Sequence, residues 1–243
     1  MFLETLELYK TTYCILVPAG LLVKGLDRGL NAHFGWENTI VGKPRYSLQE
    51  EEYHNLTKFF VVYKKFWSEN KVNLRSSEYL KRMNWAKYYL RKAYETINLN
   101  ERYIFLSIAL EALCGEGEAE LRYRYANRAA LLLGDDEARR KSVNKFILKG
   151  YDTRSKIIHG GVKWRIELDE VLCYTETIRQ MIVRCISLYS KGYHRFGKTL
   201  DECLHDSAKH AELLNKSKSL FGDISEFKSP EKGIVRRAWK IRE

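Results

Sequence analysis

The chain has 243 residues, of which 45% are hydrophobic and 30% are charged, and its formal net charge at pH 7 is +11. That is enough apolar material for one sizeable core with a small appendage. No long uncharged apolar run occurs, and acidic Glu4 and Glu7 stand where a secretory signal needs basic residues, so we expect a cytoplasmic protein with no membrane partner.

The five cysteines are scattered and odd in number, and no C-x-x-C pair occurs. We therefore expect reduced thiols, as in a cytosolic protein. Cys203, His205 and His210 are close enough in sequence to suggest a metal site, but a fourth ligand is missing. Neither a metal nor any other cofactor is expected.

Residues 1–45 differ from the rest, because five of the fifteen glycines lie there and a short β-type segment precedes Pro18. We interpret them as an irregular or β N-terminal arm. The long proline-free stretch between Pro44 and Pro230 favours continuous helices. The predicted organisation is therefore an all-α helical bundle at 46–222, followed by a polar C-terminal tail at 223–243.

Apolar residues at helical spacing predict the individual helices. These cover about 48–67, 76–97, 100–114, 118–133, 136–159, 167–191 and 199–220. The helix at 100–114 is apolar nearly all round, so we expect it to be central.

Glu111 lies within this apolar helix, and a buried carboxylate needs a partner. Arg128 falls on the apolar stripe of the following helix, and Arg154 lies further along the chain. We predict that Glu111 pairs with Arg128 or Arg154. The pair would either lock the core or direct the guanidinium towards a cleft.

Positive charge is concentrated in two parts of the chain. Residues 51–100 carry ten Lys or Arg against five Asp or Glu, and residues 151–200 carry nine against five. This excess suits a polyanionic partner, although a solvated helix surface has the same pattern. Tyr88 and Tyr89 interleave with the charges, which suits either base stacking or packing at the rim of the core.

The candidate RNA-binding residues are Lys87, Arg91, Arg124 and Lys156.

Residues 151–161 read YDTRSKIIHGG, and Arg154 and His159 are the pair best suited to chemistry. A guanidinium makes paired hydrogen bonds to phosphate oxygens, and an imidazole exchanges protons near neutral pH. Five residues advance a helix by about 500°, so the two side chains point roughly 140° apart and lie about 7.5 Å apart along the axis. The same residues before a helix stop at Gly160 also fit simple complementarity to the helix dipole.

Three segments in this order resemble the HEPN superfamily, most closely its ApeA-like branch: LSIALEAL at 106–113, ELRYRYANRAALLLG at 120–134, and the motif segment. The resemblance covers about residues 48–190. It implies an all-helical domain that dimerises through the motif face, so that Arg154 and His159 of two protomers form one cleft. It also implies a metal-independent endoribonuclease of a toxin–antitoxin, CRISPR or antiphage defence system, with an antitoxin or regulatory partner. Glu111, Arg128 and Ser155 are the residues that we expect to support the pair of Arg154 and His159. Many nuclease members of the superfamily have Asn, Asp or His where this chain has Ser155.

For a nuclease, we expect His159 to take the proton from a ribose 2′-OH or to deliver one to the leaving 5′ oxygen, and Arg154 to stabilise charge on the phosphorane. The products would be a 2′,3′-cyclic phosphate and a 5′-OH. One alternative is a module that binds single-stranded RNA or a nucleotide without cutting it. Another is a dimerisation domain whose N-terminal partner performs the function.

Overall fold

The computed structural model describes Leu8 and residues 50–115, 121–160 and 166–221. Within these ranges the chain forms eight α-helices and no strand, which confirms the predicted all-α fold. The helices are α1 (Glu50–Glu69), α2 (Glu78–Glu95), α3 (Leu99–Cys114), α4 (Leu121–Leu133), α5 (Glu137–Ile158), α6 (Leu168–Ser190), α7 (Phe196–Glu202) and α8 (Ser207–Lys218). The predicted arm and tail lie outside the described residues, apart from Leu8, which is helical and buried.

Polar caps explain where several helices begin. The side chain of Ser77 accepts a hydrogen bond from the backbone N–H of Leu80 at the start of α2, and Asn98 caps α3 in the same way. Asp136 accepts from the N–H of Arg139 at the start of α5. Each cap satisfies donors that the first helical turn leaves unpaired, and these three starts lie close to the predicted ones.

Helix α6 occupies the centre of the bundle. Every residue from Val171 to Tyr189 is buried, and α2, α3, α4 and α8 all pack against it. The short connection before α3 makes α2 and α3 an antiparallel hairpin, and α4 and α5 form a second one. Helix α3 packs against four helices, as expected of a central element, but one stripe of it remains partly exposed.

Helix α6 also buries charged side chains that its sequence pattern does not place in the core. Arg179 pairs with Glu176 and donates from Nη1 to the carbonyl oxygen of Leu8 at 2.7 Å. Gln180 donates to the same carboxylate at 2.7 Å. These bonds supply the partners that buried charges require.

The helix predicted at 199–220 is two helices, so the prediction of a single helix is wrong. Asp206 has an extended backbone with φ −131° and ψ 98°, and its side chain accepts hydrogen bonds from the N–H groups of Ala208 and Lys209. An aspartate in this conformation starts a new helix. Helix α7 therefore ends at Glu202, and α8 begins at Ser207.

None of the helices in the described ranges combines the length and the apolar character that a bilayer crossing requires.

Candidate functional site

The motif lies at the C-terminal end of α5, as predicted. The helix ends at Ile158, and the N–H of His159 donates to the carbonyl oxygen of Ser155 at 3.0 Å. Gly160 follows with φ +66°, a left-handed conformation that favours glycine and ends the helix. His159 is exposed at this stop, and the Ser155 side chain is half-buried one turn earlier.

The face of α5 opposite His159 packs closely against neighbouring helices. A Cβ atom at Gly150 would lie 3.2 Å from the hydroxyl oxygen of Tyr103 and 3.5 Å from the ring of Tyr174, so glycine permits the approach of three helices. Thr153 is buried on the same side. Arg154, the next residue, consequently emerges at the edge of the packed surface.

Arg154 and Glu111 form an ion pair, which confirms one of the two predicted pairings. Arg154 Nη2 lies 3.4 Å from Glu111 Oε1, and the two side chains are 27% and 30% exposed. This distance is long for a good hydrogen bond, so the contact is chiefly electrostatic. Arg154 Nε is buried and has no hydrogen-bond partner in the described part of the chain. The guanidinium is therefore held by one carboxylate through Nη2, and its Nε is not accessible to solvent.

Two further residues, Arg82 and Tyr125, lie near the end of α3 that carries Glu111, and neither has a sequence signal that predicts this position. Arg82 donates from Nη2 to the carbonyl oxygen of Gly115, whose N–H donates to the carbonyl oxygen of Glu111 at 2.8 Å. Burial, with the nearby Glu111 charge, raises the pKa of Tyr125 from 10.0 to about 12. Tyr125 is therefore a neutral phenol at physiological pH and does not compete with Glu111 for Arg154.

Arg128 does not belong to the motif site, so the prediction that it supports that site is wrong. It is buried, and its Nε and Nη2 donate to Asp201 at 2.9 and 2.7 Å. Its Nη1 donates to the carbonyl oxygen of Cys114. Arg128 thus ties α4 to α7 and to the end of α3.

The predicted RNA-binding residues separate into exposed and internal ones. Arg91 and Lys156 are exposed, and Arg124 is half-buried on α4. Lys87 is buried, with Nζ 3.6 Å from the centroid of the Trp67 ring. A lysine stem packs readily among apolar groups, and its ammonium is attracted by an aromatic face. The structure therefore removes Lys87 from the surface set.

Arg154 and His159 are both accessible but act as separate groups within one copy. No hydrogen bond or ion pair between them occurs in the described ranges, as expected from their positions around α5. One copy thus presents a partly exposed guanidinium and an exposed imidazole near the same helix end. A single phosphodiester could engage both if it bridged the surfaces or if two copies combined.

The residues considered for a metal site have other roles. His210 Nε2 lies 2.8 Å from the carbonyl oxygen of Leu131, so Nε2 carries the proton, and Nδ1 lies 3.5 Å from Arg140 Nη1. Burial raises the pKa of the Cys203 thiol. In the ranges that the structure describes, no group of three potential ligands is arranged to hold a metal. Cys203, His205 and His210 line a groove of about 540 Å³ beside α8.

No protein-family model, no curated protein and no solved structure matches the chain.

Proposed function

We propose that the chain is a metal-independent endoribonuclease of the HEPN type that cleaves single-stranded RNA. One observation supports this most strongly: a partly exposed guanidinium, anchored by a single carboxylate, precedes an exposed imidazole by five residues at a helix end. The resemblance of the motif segments adds to it. That resemblance also implies a defence or toxin setting with an antitoxin or regulatory partner, which forms part of the proposal.

Arg154 is the proposed phosphate-binding residue. A guanidinium recognises phosphate through parallel hydrogen bonds, and the ion pair of Arg154 with Glu111 uses Nη2 of a side chain that is 27% exposed. Because this ion pair is long and solvent-accessible, a phosphate can displace or share the carboxylate at little energetic cost. The bound guanidinium then stabilises the charge that develops on the phosphorane oxygens.

His159 is the proposed proton-transfer residue. It either removes the proton of the ribose 2′-OH or protonates the leaving 5′ oxygen. The 2′ oxygen attacks phosphorus, the bond to the 5′ oxygen breaks, and the products are a 2′,3′-cyclic phosphate and a 5′-OH. An in-line displacement needs a base on one side and an acid on the other, which a single imidazole cannot readily provide.

A homodimer through the motif face supplies the second imidazole. Ile158 is a large exposed apolar residue next to His159, and such a side chain gives an association surface an apolar contact. In a two-fold arrangement each copy presents the same patch, so both His159 side chains approach one groove. This explains why the two groups of one copy need not contact each other.

Purified protein incubated with mixed single-stranded RNA in EDTA tests the proposal. We expect cleavage by the wild type, and a loss of about 10²-fold or more in His159→Ala. His54 is an exposed histidine on α1, and His54→Ala is the matched control, which should retain the wild-type rate. Equal cleavage by wild type and His159→Ala would assign the activity to a contaminant and end the proposal.

The alternative function is an RNA-binding module that does not cut. One observation favours it: among the described residues, no hydrogen bond orients the His159 ring, whereas general bases are commonly oriented by a third group. Binding of RNA by both wild type and His159→Ala, with cleavage by neither, would select this module over the nuclease.

A further inference from the structure

Four aromatic side chains on α2 and α3 form a surface that the proposed chemistry does not use. Trp85 is 55% exposed and Tyr88 is 47% exposed. The rings of Trp85 and Tyr89 lie 5.9 Å apart with an interplanar angle of 25°, and those of Tyr89 and Phe105 lie 6.2 Å apart at 24°. We name this group, Trp85, Tyr88, Tyr89 and Phe105, the aromatic platform.

The rings of the platform are held in a fixed arrangement. Tyr88 stands edge-on to Trp85, with centroids 5.8 Å apart at 88°, and edge-on to Tyr89 at 5.2 Å and 80°. Phe105, Tyr89 and Trp85 are nearly parallel and form a series that ends at a half-exposed indole. A further flat aromatic group can extend such a series by offset stacking.

Cations flank the platform along α2. Lys81 and Arg82 precede Trp85 by about one turn, and Arg91 and Lys92 follow Tyr89, with Lys92 Nζ 5.7 Å from the Tyr88 centroid. Glu78 and Glu95 pair with these cations through contacts on the surface of α2. Exposed pairs of this kind contribute little free energy, so phosphate oxygens can replace the carboxylates.

The platform begins beside the motif site. Arg82 lies three residues before Trp85, and its guanidinium donates to the carbonyl oxygen of Gly115, whose N–H donates to the backbone carbonyl oxygen of Glu111. Glu111 in turn anchors Arg154. From Arg82 to Lys92 the helix rises about 15 Å. In the proposed arrangement, a strand that runs from Arg154 along α2 passes Arg82 and then reaches the aromatic rings.

We propose that the aromatic platform stacks the bases of single-stranded RNA, with the flanking cations on its phosphates. The inference rests on the proposed function, because it names where the RNA next to the cut site lies. Aromatic side chains interleaved with cations are the usual basis of sequence-tolerant single-strand binding. A second copy of this chain is a poorer occupant, because its platform carries the same positive flanks and would be repelled.

A fluorescence anisotropy titration with a labelled 2′-O-methyl RNA 12-mer tests this, because the blocked 2′ oxygen prevents cleavage. We expect Trp85→Ala to bind roughly 5- to 100-fold more weakly than wild type, from the usual loss per stacked base. Trp85→Phe should retain most of the affinity. Trp85→Leu, which keeps apolar bulk without a ring face, should bind as weakly as Trp85→Ala. Tyr123 is equally exposed on α4, and Tyr123→Ala should bind as wild type does.

Wild-type affinity in Trp85→Ala or in Trp85→Leu would overturn the inference, as would no binding by the wild type. Unchanged affinity together with a shift from dimer to monomer in Trp85→Ala would assign the platform to protein contact instead. The proposed function is decided by a separate result. If His159→Ala loses cleavage but RNA binding does not depend on Trp85, the nuclease proposal is supported and the platform inference is wrong. If binding depends on Trp85 but no protein cleaves RNA, the platform inference is supported and the nuclease proposal is wrong.

Discussion

Two arginine–glutamate pairs in this protein contrast sharply. Arg179 and Glu176 on α6 are 1% and 4% exposed, and additional bonds come from Gln180 and from the carbonyl oxygen of Leu8. Arg154 and Glu111 are 27% and 30% exposed and meet at a single contact of 3.4 Å. The same two chemical groups thus form a buried, fully hydrogen-bonded ion pair in the core and a solvent-accessible ion pair with a single contact at the end of α5.

Burial explains the difference in their expected roles. Removing one partner of a buried pair leaves an uncompensated charge in the core, so the α6 pair must remain intact for folding. A solvent-accessible pair contributes little to stability, so the proposed exchange of Glu111 for a phosphate at Arg154 should leave the fold intact. Stability and activity measurements should therefore separate the two pairs.

The largest expected effect is that of Arg179→Ala. This variant leaves Glu176 buried without its cation and should lose about 3–5 kcal/mol of unfolding free energy. Denaturant unfolding measures it, with Arg154→Ala as the matched control, which should lose about 1 kcal/mol or less. Equal losses in the two variants would contradict the contrast between the buried and the solvent-accessible pair.

Substitution of the glycines that end α5 and α6 should have a smaller effect on the free energy of unfolding. Gly160 follows α5 with φ +66°, and Gly192 follows α6 with φ +88°. Alanine at either position should cost about 1 kcal/mol, because the left-handed conformation is strained for a side chain. Only Gly160→Ala should also slow RNA cleavage, because it disturbs the adjacent His159. A matching loss of cleavage in Gly192→Ala would show a global effect.

Alkaline pH should destabilise the protein partly through Tyr125. Burial raises the pKa of Tyr125 from 10.0 to about 12, so the unfolded chain releases this proton at lower pH than the folded one. The stabilisation is complete below pH 10 and is lost as the pH rises to about 12. Relative to its own value at pH 8, Tyr125→Phe should lose less unfolding free energy at pH 11 than wild type does. Parallel curves for the two proteins would refute this.

Glu111→Gln should have the smallest effect on stability, a few tenths of a kcal/mol, because the ion pair is half-exposed. Cleavage should fall by about 10-fold, since the amide positions Arg154 less firmly. A comparison of unfolding midpoints and initial cleavage rates separates the two quantities. A large loss of stability with unchanged specific activity would make Glu111 a core-locking residue instead.

The sequence predicted the helices well because local signals define them. Apolar stripes and polar caps such as Ser77 and Asp136 specify where a helix lies and starts, and the stop at Gly160 follows from the same logic. The sequence narrows the partner of Glu111 to two arginines, because Arg128 falls on an apolar stripe and Arg154 belongs to the motif. Choosing Arg154 over Arg128 required the direction of α4, which brings Arg128 to Asp201.

The sequence does not predict the burial of several long polar side chains, because their environment depends on tertiary packing; the break at Asp206 is a separate, local case. Arg179 and Arg184 are buried on α6 although their residue type favours the surface. Lys87 turns its ammonium onto Trp67 instead of towards solvent. Asp206 interrupts a segment whose composition is helical throughout, because its side chain caps the next helix. Composition and hydrophobic periodicity do not predict these side-chain positions or this helix break.

Mass analysis of the RNA fragments formed in EDTA by wild type, Arg154→Lys and His159→Ala tests the proposed cleavage most directly. We expect 2′,3′-cyclic phosphate and 5′-OH ends from wild type. Arg154→Lys, which keeps the charge but loses the planar fork, should give a much reduced yield, and His159→Ala should leave the RNA intact. Fragments with the same ends and the same yield from all three proteins would contradict the proposed roles of Arg154 and His159.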